Sequence, residues 1–229
     1  DTQALWATLA ADRPLLRAGD TLALAIDGGY DSGGAAAGTG LRMEGVVVAR
    51  RVGDAYPDYA AFQFAESVAD EADPFAGSTP PATLDGKGQA RMALRLPVPL
   101  RGENMDADDP RAAFAFAELR LNAYLQPPGE AEVASPSVRV NYAAHPAYVG
   151  LRSDGWWLST AADPKLQAVL LGADGTPRTG QVRVRIERVD DDDDEEGPAV
   201  GDPAEVLARC TLDAGADVAA CPFRATEDG

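Results

Sequence analysis

The sequence predicts an all-β protein built as two tandem antiparallel β-sandwiches, residues 1–146 forming the first and residues 147–229 the second. Three observations lead there. Apolar and polar residues alternate with a period of two over several runs, the mark of a strand with one buried and one wet face. Gly (23) and Pro (17) recur along the 229 residues and break up long helices. No amphipathic pattern longer than two helical turns interrupts the strands.

The first unit reads as seven strands, near residues 4–10, 20–27, 40–52, 59–65, 88–96, 113–124 and 133–142. Leu22, Leu24 and Ile26 share one face of the second strand, which ends in Gly28-Gly29-Tyr30. A loop of Gly and Ala follows, then an apolar run through Leu41, Met43, Val46 and Val48. A loop so poor in polar side chains packs its backbone closely against something, with Ala35, Ala36 and Ala37 supplying bulk without clash. It carries no catalytic group and points to an assembly module rather than to an enzyme.

Further along, Ala90, Met92, Leu94 and Leu96 share a face opposite Arg91 and Arg95. Residues 113–125 alternate with Phe114 and Phe116 opposite Leu119 and Leu121, and Val138, Val140 and Tyr142 alternate with Ser137, Arg139 and Asn141. Asp85-Gly86-Lys87-Gly88 and Asp174-Gly175 are turn sequences, and residues 66–82 and 101–112 read as long loops. Seven strands in roughly 145 residues fit one complete sandwich.

His145-Pro146 breaks strand geometry and marks the junction, and a new alternating pattern starts with Trp156. Val182, Val184 and Ile186 alternate with Arg183, Arg185 and Glu187. This part offers only about five strands, so the second sandwich is expected to be incomplete, with an edge lacking its partner strand.

Charge excludes several classes. A formal net charge of −17 repels phosphate backbones and anionic lipid, so nucleic-acid and membrane-surface partners are not expected. No run of 18 apolar residues spans a membrane. The chain begins DTQALW, without Met or a signal peptide, and reads as a mature or excised piece of something longer. Cys210 and Cys221 bracket a turn-like TLDAGADVAA. Two strands of a hairpin could bring them into a disulfide, which favours an oxidising compartment such as the periplasm; the other reading is two buried free thiols.

No catalytic, cofactor or metal residues are expected. His145, the only histidine, sits in the junction with no triad partner in recognisable spacing. Three Cys and His residues in total do not make a zinc site. The acidic run Asp190–Glu196 lacks the spaced ligands and central Gly of a calcium loop and reads as a solvated loop. Gly38-Thr39-Gly40 and Gly86-Lys87-Gly88 lack nucleotide-binding spacing. Of Trp156 and Trp157, one is expected in the core and one at a surface or domain interface.

Several stretches resemble the macroglobulin-type domains of bacterial alpha-2-macroglobulins. Leu16 to Leu22 followed by Gly29-Tyr30, then Gly34 to Gly38 and the strand Leu41 to Arg51, is similar to a tyrosine-plus-small-residue insertion of that family. The resemblance implies that this insertion packs against neighbouring modules, so that a bulky residue at Ala36 is expected to disturb assembly before it disturbs the fold. Thr83 to Ala90 resembles its turn before a long strand, Ala147 to Arg152 its lead-in to the next domain, and the two cysteines ahead of a Gly-terminated hairpin a pattern in some members. The resemblance implies Ig- or fibronectin III-like sandwiches acting as a non-catalytic scaffold of a broad-spectrum protease inhibitor in the periplasm or cell envelope. The implied partners are other domains of the same parent chain and, through the parent, target proteases. The chain departs from the family's active apparatus: neither Cys210-Thr211-Leu212-Asp213 nor Cys221-Pro222-Phe223-Arg224 matches the Cys-x-Glu-Gln thioester, and no bait segment identifies itself. The alternative is an Ig-like adhesion or glycan-binding module of a bacterial surface protein.

Overall fold

The computed structural model describes residues 4–69, 71–103, 109–154, 163–187 and 206–222. Its strands in chain order are β1 (Leu5–Ala11), β2 (Leu15–Arg17), β3 (Thr21–Tyr30), β4 (Gly40–Ala49), β5 (Gln63–Phe64), β6 (Glu71–Ala72), β7 (Gln89–Arg95) and β8 (Phe116–Gln126). They continue with β9 (Val133–Ala134), β10 (Val138–Ala143), β11 (Ala147–Ser153), β12 (Lys165–Gly172), β13 (Pro177–Arg178), β14 (Gln181–Glu187), β15 (Val206–Asp213) and β16 (Ala219–Ala220). The described helix α1 is a single turn, Val52–Ala55. The protein is all-β, as the alternation predicts.

The chain divides into two compact units, residues 1–55 with 66–146 and residues 56–65 with 147–229. In the first, one antiparallel sheet runs β1-β3-β7 and the other β2-β10-β8-β4-β6, with β9 on β8. Only β2, beside β10, pairs in parallel among these strands. Leu22, Leu24 and Ile26 of β3 and Leu94 of β7 point to the same core as Leu41, Met43 and Val47 of β4 and Leu119, Leu121 and Leu125 of β8. Each such leucine withdraws apolar surface worth about 1.5–3 kcal/mol, which is what holds the sheets face to face.

Register decides two details differently from the pattern. Val47, not Val46 or Val48, is the fully buried valine of β4, because the inward set runs 41, 43, 45, 47 through Gly45. A Cβ at Gly45 would lie 2.7 Å from both Leu121 and Pro74, so a side chain there is excluded by packing. At the start of β8 both faces are buried: Phe114 and Phe116 are covered as well as Ala117 and Leu119. The expected long loops 66–82 and 101–112 contain the short strand β6, paired with Val47 and Val48, and a 3-10 turn at Pro110–Ala112.

Several expected strands come out shorter or split. The run near 40–52 stops at Ala49 and turns into α1, and the run near 59–65 keeps only Gln63–Phe64 after a 3-10 turn at Pro57–Tyr59. The run near 133–142 splits into β9 and β10 around Pro136.

In the second unit β13-β12-β11-β5 form one antiparallel sheet, with β16 also on β12, and β14 and β15 form a second. Leu166 and Ala168 from β12 meet Val182, Val184, Ala208, Leu212 and Cys221 in a small core. The β12–β13 turn carries Gly175 at φ +79°, where a Cβ would lie 2.4 Å from the Tyr56 ring. Only glycine fits that backbone and that approach. The Tyr56 hydroxyl donates to the Ala173 carbonyl at 2.6 Å, fixing residues 56–65 in this unit. Its first strand after the junction is β11, ahead of Trp156; Trp156, Trp157 and the acidic run Asp190–Glu196 lie outside the described residues.

Candidate functional site

The small-residue loop between β3 and β4 is the feature the sequence singled out, and it is anchored inward through Ala36 while Ala35 and Ala37 stay exposed. Ala36 is fully buried in the first unit's own core. Its N–H donates to the Gly28 carbonyl at 3.1 Å, and the Gly28 N–H donates to the Gly88 carbonyl at 2.8 Å. The Gly38 N–H reaches the Leu84 carbonyl at 3.1 Å, and the Leu84 N–H reaches Thr39 at 3.0 Å. The loop is thus stitched between β3 and the turn that precedes β7.

Close backbone approach explains the composition. A Cβ at Gly28 would lie 2.5 Å from Leu125 and 2.8 Å from Leu84; one at Gly88, whose φ is +72°, would lie 2.4 Å from the Gly28 carbonyl oxygen. Small residues are required because the loop plugs the end of its own sandwich. The expectation for Ala36 is therefore corrected: it is buried in its own core, so a bulky residue there strikes the fold first, while Ala35 and Ala37 on either side are exposed.

Asp85 fastens the turn that the loop packs on. Its Oδ1 accepts the Lys87 N–H at 2.8 Å and the Gln89 N–H at 2.9 Å. Those backbone donors, Gln89 first, hold its carboxyl below the ordinary aspartate value. Asp174 plays the equivalent part in the second unit, held low by the Thr176 N–H at 3.1 Å.

An ionic cluster around one buried carboxylate ties β8 to β10 and to Arg50, the residue after β4. Glu118, 5% exposed, accepts from Arg50 at 3.0 Å and from Arg120 Nε at 2.7 Å. The same Arg50 nitrogen donates to Asn141 Oδ1 at 2.8 Å. Two guanidiniums and one carboxylate with both oxygens engaged make a clamp on these segments; the geometry leaves the carboxylate committed to structure. The pattern missed Glu118. The available signal was an acid between Phe116 and Arg120 on one face of the strand, where that face turns from apolar to polar.

His145 lies exposed at a cleft of about 500 Å³ in the first unit, lined also by Ser67, Arg111, Phe114 and Tyr142. The Ser67 hydroxyl accepts the Ala115 N–H at 2.7 Å, and Glu66, also on the cleft wall, pairs with Arg51 at 2.9 Å. Tyr142 is 1% exposed and its hydroxyl meets no partner at hydrogen-bond geometry among the described residues. Burial pushes its phenol up, an effect the nearby Leu100 backbone offsets in part. Among the described residues no group of three or more His, Cys, Asp or Glu is arranged to hold a metal ion.

The bond expected between Cys210 and Cys221 is present, with Cα atoms 5.4 Å apart. Its context differs from a hairpin cross-link. Cys210 belongs to β15, in the β14–β15 sheet, whereas Cys221 follows β16, which pairs with β12 in the other sheet. The disulfide joins the two sheets through their shared core. On the outer face of β14–β15, Arg185 stands opposite Arg209 and Arg183 opposite Thr211.

No family model matches the sequence, and no curated protein matches it. Solved structures do. The fold is similar to part of trypsin-activated alpha-2-macroglobulin from Escherichia coli, with a TM-score of 0.58 and 16% identity over 96% of this chain. The native conformation of the E. coli protein gives 0.53 and 15% identity over 97%, and its form activated by porcine elastase 0.51 and 15% over 99%. The chain spans 15% of the first two structures and 19% of the third. The fold is that of a segment of bacterial alpha-2-macroglobulin.

Proposed function

We propose that this chain is a non-catalytic scaffold segment of a bacterial alpha-2-macroglobulin-like protease inhibitor, its two macroglobulin-like domains divided near Pro146, with residues 56–65 of the first stretch lent to the second. The likeness to trypsin-activated E. coli alpha-2-macroglobulin, running through both units over 96% of this chain, carries the reading. The inter-sheet disulfide supports an extracytoplasmic setting, and the periplasm or cell envelope follows from the inhibitor reading. Polar side chains fit a scaffold role: Glu118, Asp85 and Asp174 are each spent on strands or turns.

The test uses the full-length protein that carries this sequence. Mixed with trypsin, it is expected to retain the protease in a complex, while the 229-residue chain alone retains none and turns over no substrate. A full-length protein that leaves trypsin free sinks the inhibitor reading. Limited proteolysis of the chain is expected to cut in 66–82, 101–112 or 189–203 and to spare β7 and β8.

A further inference from the structure

The two-stranded sheet of the second unit offers an edge and a charge pattern that together specify a partner. Among the described residues β14 pairs only with β15, so the other side of this seven-residue strand has no ladder partner among them. Its inner face presents Val182 and Val184 to the core, and its outer face presents Arg183 and Arg185. Across the register Arg209 stands directly opposite Arg185, a like-charge pair that destabilises a sheet by itself. Arg185 pairs with Glu187 at 2.6 Å, but Arg183 and Arg209 make no ion pair among the described residues. The three arginines border a cleft of about 310 Å³ with Thr211. In a chain of net charge −17 such a patch stands out.

Another arginine-bearing edge behaves differently. On β7, Arg91 is turned back onto its own sheet, donating to the Ile26 and Ala90 carbonyls and pairing with Asp27 at 3.7 Å. β14 leaves its cations facing outward.

We propose that the edge of β14 away from β15 accepts an added antiparallel strand from a partner whose residues alternate acidic and apolar. Backbone groups of that strand complete the ladder, its acidic side chains sit beside Arg183 and Arg185, and its apolar side chains extend the face of Val182 and Val184. The same arginines repel a second copy of β14, so the charge selects the partner and disfavours self-pairing. The net negative charge of the whole chain opposes such a partner at long range, but salt screens that field beyond about 8 Å while the contact pairs persist.

The probe is a fluorescein-labelled nonapeptide alternating valine and glutamate, titrated into the full 229-residue chain with anisotropy as readout. Saturable binding is expected, weakened about tenfold by Arg183→Glu with Arg185→Glu. A valine–lysine peptide is expected to bind that double variant and not the parent. Both positions are exposed, and circular dichroism checks the fold; Arg183→Gln with Arg185→Gln replaces the variant if it does not fold. Methylating alternate backbone nitrogens of the peptide should weaken binding in the register that blocks the ladder. Binding indifferent to methylation in both registers reduces the contact to charge alone and overturns strand addition. Equal binding of the valine–lysine peptide to the parent overturns the charge pattern. No binding at about 0.15 M salt, where the long-range field is screened, means the edge is filled by this chain itself or takes no strand, and overturns the proposal outright. These outcomes are independent of protease retention by the full-length protein.

Discussion

The first unit holds its two sheets together with side chains alone: leucines from β3, β7, β4 and β8 interdigitate, and a small-residue loop plugs one end of the stack. In the second unit the described core is a handful of small and medium residues, and a covalent bond crosses it from Cys210 to Cys221. The difference is one of scale. Conformational entropy is lost residue by residue, whereas stabilisation grows with buried apolar area, so a thin core needs a constraint that acts on the unfolded chain. Polar groups divide along the same line: the clamp at Glu118 serves the first unit, while the arginines of β14–β15 remain on the surface of the second.

The largest effect should come from removing that constraint. The bond closes a sequence separation of 11, and its loss frees the unfolded chain by roughly 3 kcal/mol. Cys221→Ala, or reduction of the parent chain, is expected to accelerate amide exchange in β12, β14 and β15 and to leave β3, β7 and β8 protected. Equal protection of the second unit before and after reduction would make its small core self-sufficient and erase the contrast.

Next comes the loop. Ala36→Leu forces extra carbons into a fully buried site beside Gly28 and should destabilise the first unit by about 1–3 kcal/mol, read as a lower denaturation midpoint. A variant with unchanged stability would return the loop to a role outside its own sandwich. Smaller again, Glu118→Gln keeps the shape of the side chain but removes the charge that two arginines share, and should cost about 1–2 kcal/mol in the first unit only. A double-mutant cycle with Arg50→Met separates that pair from general packing.

Alternation carried most of the architecture. Leu22, Leu24 and Ile26, or Val182 and Val184, face inward because a strand leaves them no other choice once one face is wet. Period-two reasoning failed where both faces are covered, as at Phe116 and Glu118, and where a glycine stands in for a core residue, as at Gly45. The cysteines were legible as a pair but not as an inter-sheet link, because nothing local says that β16 crosses to β12. The small-residue loop announced close packing correctly; its partner, the turn at Gly88 and the side chain of Leu125, is distant in sequence. Composition shows that a backbone must approach something, and only the three-dimensional register says what.

The smallest effect offers the most symmetrical comparison, because both units fasten a turn with one aspartate. Asp85 and Asp174 are each held below their ordinary value in the folded state by backbone N–H donors. A carboxyl depressed in this way contributes stability that is complete above its unfolded value, near 4, and disappears as pH falls through the folded value. Asp85→Asn retains an acceptor oxygen but no titration, so the first unit should lose less stability than the parent between pH 4 and pH 2 while the second unit's acid response is unchanged. Asp174→Asn should do the reverse. Thermal midpoints across that window, with amide exchange assigning each transition to a unit, decide the matter. If either substitution flattens both acid responses together, the units share one cooperative transition, and the division between an apolar and a disulfide-held sandwich describes their construction but not their unfolding.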